Sequence, residues 1–306
     1  MSRPTQSAIN LDRRDLDWYL DKLVQFLVFF GGFSAIIFVL GIFFFIVREG
    51  LDFILQSFNV FEFLTSLNWR PTSVKGATYG ALALIGGTVS VTGVAMIIAI
   101  PFSLGAAIYI GEFAGPSARE ILKVLVELLA AIPSVVWGFI GFKLINSIII
   151  TVFDVPIGLN ILNAGVILGL MAAPIMTTLA EDALKAVPDQ YREAAEAMGA
   201  TRWQITRRVV LPSARNGLVA AVLLGVGRGF GETMAVLMAS GHAINLPTSV
   251  FDSVRSLTAT IATELGETAY RGEHYGALFT LGIFLFLVTF TVNLIADVLV
   301  RRSRQT

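Results

Sequence analysis

The chain has 306 residues, 55% hydrophobic and only 14% charged, with 23 phenylalanines and a mean hydropathy of +0.76. Soluble domains carry about 25% charged residues, so this composition excludes an ordinary water-soluble globule. Twenty-two basic and 22 acidic residues cancel, which removes bulk charge as a reason to bind nucleic acid; the lack of cysteine excludes disulfides, thiolate catalysis and Cys-ligated metal centres, and two histidines cannot build a His-rich metal site.

A helix needs about 20 mainly apolar residues to cross a bilayer. The first candidate, 24–47, lies between Lys22 and Arg48. Its apolar stretch exceeds the roughly 7–15 residues of a signal-peptide core, which points to an uncleaved anchor. The second starts near Tyr79 and turns near 107–111, with Pro101 inside it. The third is 122–145, interrupted by Glu127, and the fourth is 161–180. The fifth, 218–241, contains Arg228 and Glu232, and the sixth is 275–296. The fold class expected is therefore all-α: a polytopic membrane protein with six transmembrane helices.

With the N-terminus in the cytoplasm, six basic residues fall outside: Arg48, Arg70, Lys75, Lys143, Arg255 and Arg271. Arg228 lies in the membrane, which leaves 15 of the 22 basic residues inside. That bias predicts cytoplasmic N- and C-termini. The expected organisation is a cytoplasmic segment 1–23, an anchor helix 24–47, an outer loop 48–75, a transmembrane domain 76–300 and a cytoplasmic tail 301–306. The transmembrane domain includes a cytoplasmic loop 185–215 and an outer loop 242–274.

Nucleotide chemistry is missing. No Lys precedes Ser or Thr, so the phosphate-cradling G-x-x-x-x-G-K-[ST] loop cannot occur. Gly225, Gly227, Gly229 and Gly231 do not fit the dinucleotide spacing G-x-G-x-x-G. No cofactor is expected on this chain, and any ATP it uses must be hydrolysed by another subunit.

The loop 185–215 is patterned. Asp189 can cap a short helix with Glu193 in its first turns, Gly199 can end it in a left-handed conformation, and Thr201 can cap a second helix. Arg207 and Arg208 fall near that helix's C-terminus, and Pro212 opens the next span. The result is a two-helix knuckle whose apolar face (Ala194, Ala195, Met198, Trp203, Ile205) suits a groove on a partner; the alternative is an amphipathic element at the headgroups.

Glu193-Ala194-Ala195, three residues, Gly199, nine residues, then Val209-x-Leu211-Pro212 resembles the EAA motif of ABC importer permeases, with Val at 209 where the family usually has Ile. The strings 131–138 (AIPSVVWG), 227–236 (GRGFGETMAV) and 256–267 (SLTATIATELGE) are similar to those of phosphate importer permeases, and 227–236 resembles the PstC type rather than its PstA sister. The resemblance spans roughly residues 75–300. It implies the type I permease fold in a bacterial inner membrane. It also implies a second, PstA-like permease, a PstB-like ATPase dimer that uses ATP and magnesium, and a PstS-like phosphate-binding protein outside. Glu193, Ala194, Ala195, Gly199, Leu211 and Pro212 would then belong to a coupling element seated in the ATPase. The alternatives are an importer of another oxyanion, such as sulfate or molybdate, and a secondary carrier without an ATPase.

Arg228 and Glu232 are four residues apart, hence on one face of an uninterrupted helix. Each costs about 2.5–3.5 kcal/mol at membrane depth, which points to a pathway or a gate. Gly225/Gly229 and Gly227/Gly231 thin the same turns and allow another helix to approach, as at a subunit seam. On the functional reading, Arg228 would attract phosphate with its planar fork of donors and Glu232 would accept the proton that phosphate retains and sulfate lacks; the family resemblance supports the position of the pair but not its role. The bland alternative is an i,i+4 pair that neutralises itself. His242, His274 and Trp137 are expected to be structural. Residues 249–267 read as an amphipathic outer helix that either receives a binding protein or covers the pore mouth.

Overall fold

A computed structural model describes residues 16–56, 59–73 and 76–303. The segment up to residue 15, with Arg3, Arg13 and Arg14, and also Lys75 and Arg304 lie outside the described residues. The chain divides into two compact units, 1–49 and 50–306. The first is built on helix α1 (Leu16–Gln56), along which Phe26 stacks on Phe30 and Phe29 on Phe33.

In the second unit, α2 (Val60–Thr65) begins at Asn59, whose side chain accepts the Phe61 and Glu62 N–H groups. A two-stranded antiparallel ribbon follows, β1 (Trp69–Arg70) against β2 (Thr78–Tyr79), with Trp69 opposite Tyr79. Next come α3 (Leu82–Ile108), α4 (Pro116–Ala130), α5 (Ser134–Ile140), α6 (Asn146–Phe153) and α7 (Ile161–Lys185). The cytoplasmic loop expected from the sequence holds α8 (Asp189–Ala197) and α9 (Arg202–Ile205). The remainder is α10 (Leu211–Gly231), α11 (Met234–Ala239), α12 (Leu257–Glu264) and α13 (Glu273–Ser303). Single π turns join α3 to its end at Phe113, α5 to α6, and α9 to α10.

Among the described residues, six helical stretches are long and apolar enough to cross a membrane: Trp18–Gln56, Leu82–Phe113, Ser134–Phe153, Ile161–Lys185, Arg202–Gly231 and Glu273–Leu299. The number agrees with the sequence reading, but two boundaries do not. The third span does not run over 122–145. Pro133 cannot donate a backbone hydrogen bond and drives Ile132 out of helical geometry, so the chain breaks at Ala131–Pro133. Before the break lies α4, an amphipathic helix with no buried residue; after it, α5 and α6 form the spanning stretch.

The fifth span is also displaced. It begins at Arg202, because the π turn at Thr206–Val210 carries α9 into α10 without interruption, and it ends at Gly231 rather than Gly241. Alternating glycines weaken helix propensity by about 1 kcal/mol each, and the helix stops after the last of them. The outer helix is likewise shorter than the 249–267 stretch. Only Leu257–Glu264 is α-helical, because Asp252 accepts the Thr248 and Ser249 N–H groups in a tight turn and Val254 bridges Gly241 instead.

The core sits where α3, α7 and α10 cross. Small residues let the backbones approach: Ala95, Ala99, Ala164 and Ala172 are fully or almost fully buried. A Cβ on Gly165 would stand 2.5 Å from Val94 Cγ1, and one on Gly169 would stand 2.9 Å from the Ala95 carbonyl oxygen. Among α10's glycines, Gly225 faces Met176 of α7, Gly229 faces Thr92 of α3, and Gly227 faces Asn293 of α13. These three thin α10 for contacts within the chain, which departs from the expectation of a subunit seam. Gly231 faces open space.

Gly165→Val should destabilise the protein by about 1–3 kcal/mol through overpacking at this crossing. Gly93→Ala, on α3 but facing open space, should be neutral or slightly stabilising. Thermal unfolding of the detergent-solubilised protein checks both.

Candidate functional site

The knuckle forms, with changes in detail. Pro188 precedes α8 in extended conformation, so Asp189 occupies the first turn instead of capping. Gly199 has φ +77° and ends α8. Thr201 and Gln204 exchange reciprocal hydrogen bonds that cap α9. Glu193, Ala194 and Pro212 are exposed, whereas Ala195 and Leu211 are half-buried against the core below them. Ile205 does not share the outward face: it is only 4% exposed and packs with Leu184, Val187 and Val210. The reason is continuity, since α9 runs directly into α10 and its inner side faces the core. Met198 (87% exposed) and Trp203 (55% exposed) remain on the outside.

Sequence reasoning missed the residue that ties the knuckle down. Arg192 donates to Glu112 Oε1 at 2.9 Å, to the Leu184 carbonyl at 2.9 Å, to the Val187 carbonyl at 2.7 Å and to Asp189 at 3.0 Å. One guanidinium therefore joins α8 to the end of α3 and to the C-terminus of α7, satisfying carbonyls that the end of α7 leaves free. Beside it, Glu181 is almost wholly buried yet paired with Lys123 of α4 at 3.0 Å and Lys185 at 2.5 Å. A polar cavity of about 460 Å³ opens here, lined in part by Glu112, Arg119, Arg192, Glu196 and Arg202. The signal for these contacts was the charges flanking the spans, but their partners lie too far apart in sequence to pair by eye.

Arg228 and Glu232 do not share a helix face. Arg228 is in the last turn of α10, where the helix dipole favours a cation. Glu232 is extended, with φ −70° and ψ +129°. Its Oε1 accepts the Ala235 N–H at 3.3 Å, capping α11, and its carbonyl accepts the Thr258 hydroxyl at 2.7 Å. The i,i+4 neutralising pair is therefore absent: Arg228 is exposed and makes no ion pair or hydrogen bond among the described residues. The arrangement is a broken helix with one unpaired cation just before the break and a partly exposed carboxylate within it.

A second polar cluster, also missed, gathers around α12. Glu264 of α12 accepts from Trp69 Nε1 at 2.8 Å and Arg255 at 2.6 Å, and pairs with His274 Nε2 at 2.8 Å. His274 and the tail end of α12 are thus structural, as expected of His274. His242 has φ +63°, and its Nε2 lies 3.5 Å from the Thr263 hydroxyl. Burial first, and the Arg255 charge second, push its pKa down to about 4, against a smaller opposing pull from Glu264.

The geometry is that of a polytopic helical permease: packed spans, a broken helix carrying an unpaired cation, and a capped two-helix knuckle. The chain belongs to the family of binding-protein-dependent transport system inner membrane components, whose model matches residues 99–305. It is 37% identical over 257 residues to the probable ABC transporter permease protein YqgH of Bacillus subtilis (strain 168), covering 84% of this chain and 83% of that one. It is 36% identical over 262 residues to the phosphate transport system permease protein PstC of Mesorhizobium japonicum, covering 79% of each. The fold is shared with a chain of a bacterial ABC transporter that imports alginate (TM-score 0.57, 18% identity, 94% of this chain and 99% of that one). It is shared too with a chain of the inward-facing MetNI methionine transporter (TM-score 0.52, 21% identity, 73% and 94%). The chain is thus a membrane-embedded permease with the ABC importer fold.

A double-mutant cycle on Glu112→Gln and Arg192→Gln should give a coupling of about 1–3 kcal/mol, the range for hydrogen bonds to charged groups; chemical unfolding in detergent measures it. His242 gives a pH signature. Its folded pKa lies below the ordinary 6.5, so the unfolded chain binds the extra proton between those values. Its contribution to stability is therefore present above about pH 6.5 and is lost as pH falls toward about 4. His242→Gln should flatten the wild-type decline in melting temperature across that window.

Proposed function

We propose that this chain is the phosphate-translocating permease subunit of an ATP-driven, binding-protein-dependent importer in a bacterial inner membrane. The observation that carries the reading is Arg228, an unpaired guanidinium at membrane depth, one turn before a break in its helix. A cation there is costly unless something pairs with it, and a planar fork of donors matches a tetrahedral oxyanion. The relatives named phosphate transport system permeases, 33–36% identical over about four-fifths of this chain, support phosphate as that anion. Glu232 stands four residues on, with one carboxylate oxygen engaged by α11. A carboxylate beside the pathway accepts a hydrogen bond from the hydroxyl of monohydrogen phosphate, a donor that fully ionised sulfate lacks, which discriminates between anions of similar shape.

Four partners follow from this reading. A second permease, PstA-like, completes the pathway; two PstB-like ATPase subunits bind ATP and magnesium; and a PstS-like protein delivers phosphate from outside. The excess of basic residues on one side puts both termini and the knuckle in the cytoplasm. Glu193, Ala194, Ala195 and Gly199, with exposed Met198 and Trp203, form the surface that docks on the ATPase. Leu211 and Pro212 lie where that element joins the span.

Closure of the ATPase dimer displaces α8 and α9 together, since Gly199 and the Thr201 cap hold them as one corner. Arg192 passes the displacement to α3 and α7. The unbroken path from α9 into α10 passes it toward the break at Glu232. Alternating access then changes the side to which Arg228 is open.

Arg228→Gln should abolish phosphate uptake in proteoliposomes containing the full complex, while assembly and ATP hydrolysis persist. Glu232→Gln should weaken the preference for phosphate over sulfate. Radiolabelled phosphate uptake with arsenate and sulfate as competitors tests both; unchanged uptake by Arg228→Gln refutes the pathway role, and strong competition by sulfate in the wild type transfers the reading to another oxyanion.

A further inference from the structure

The break after Gly231 leaves the Glu232 carbonyl with no helical partner, and its donor comes instead from a distant element. Thr258, 6% exposed, donates its hydroxyl to that carbonyl at 2.7 Å and lies 3.1 Å from the Ser256 hydroxyl, which caps α12 by accepting the Ala259 N–H. The first residue of α12 is tied as well: the Leu257 N–H donates to Thr88 Oγ1 of α3 at 3.0 Å. At the other end of α12, Glu264 gathers Trp69, Arg255 and His274. Eight residues of helix span about 12 Å. Thus α12 is a short stiff rod with one end bonded to the helix break and the other to the outer ribbon and the start of α13.

We propose that Thr258 is a positioning residue for transport: it holds the Glu232 backbone, and with it the carboxylate, in the pathway, and α12 links that break to the outer surface around Trp69 and His274. The proposal rests on the phosphate-pathway reading of Arg228 and Glu232. Its physical basis is the low dielectric of the span, in which an unsatisfied carbonyl is expensive and a single hydroxyl can select one backbone conformation. A purely structural bond would stabilise the fold; a positioning bond sets how many phosphates move per ATP hydrolysed.

The test uses the complete complex, with its sister permease, ATPase and binding protein, in proteoliposomes. Phosphate uptake and ATP hydrolysis are measured together for wild type, Thr258→Val, Thr258→Ser and Arg228→Gln. Thr258→Val is isosteric and lacks the donor. It should lower the uptake-to-hydrolysis ratio about tenfold, the effect of losing one hydrogen bond of about 1.4 kcal/mol. Thr258→Ser, which keeps the hydroxyl, should stay within about twofold of wild type on the same scale. A wild-type ratio in Thr258→Val alongside a transport-dead Arg228→Gln overturns the proposal and leaves the pathway reading intact. Normal uptake by Arg228→Gln removes the pathway reading itself. Parallel losses of uptake, hydrolysis and melting temperature in Thr258→Val, not rescued by Ser, also overturn the proposal by making the bond structural. Should Thr258→Val fail to assemble, Glu264→Gln loosens the far end of the rod; a wild-type ratio in that variant overturns the proposal.

Discussion

A helix that stops inside a bilayer must find partners for the backbone groups it releases, because lipid offers none. That constraint organises the region around the end of α10. The α10 helix ends at Gly231, and the groups freed there are met one by one. The Glu232 N–H bonds back to Gly229, its carboxylate caps α11, and its carbonyl takes the Thr258 hydroxyl. The buried first half of α12 serves this need: it brings a hydroxyl to a carbonyl that the broken helix does not pair. The same polar concentration makes the break a place where a charged substrate can be tolerated.

On the coupling role proposed above, the knuckle faces a different problem, the transfer of force. Helices transmit displacement when their ends are fastened and their junctions are stiff. Here α8 and α9 meet at a glycine with positive φ and a reciprocal cap, and α9 continues into a 30-residue helical stretch that reaches the break. Arg192 fastens the corner to two further spans through four different partners. The knuckle is thus connected to α3, α7 and α10, the three helices that form the tightest crossing in the fold. That crossing is close-packed through Gly165, Gly169 and Gly225.

Much of this was legible in the sequence, for identifiable reasons. Apolar length gave six spans, because the bilayer imposes that length on any helix that crosses it. The Thr201 cap and the turn at Gly199 were visible because both are local: each depends on residues within four positions. The errors have local causes too. Residues 122–130 are apolar enough to resemble a span, yet Pro133 decides where the helix ends. The Arg228–Glu232 pair assumed a continuous helix, and the run of alternating glycines was read as thinning when it also terminates. What could not be read were Arg192–Glu112, Glu181–Lys123 and Glu264–Trp69, whose partners are between 58 and 195 positions apart; periodicity carries no information at that range.

The distribution of charge supports the same separation of roles. Among the described residues, Glu181, Arg192 and Glu264 each gather several polar or charged partners. Glu181 holds two lysines, Arg192 holds two carboxylates and two carbonyls, and Glu264 holds an indole, a guanidinium and an imidazole. These contacts fix geometry, and each is internally neutralised or nearly so. Arg228 differs from them in position and in state. It is exposed in the last turn of α10, its potential partner Glu232 engages α11, and Gly225, Gly227 and Gly229 occupy the same turns. On the pathway reading proposed above, the partner of this guanidinium is a ligand that arrives from outside the fold.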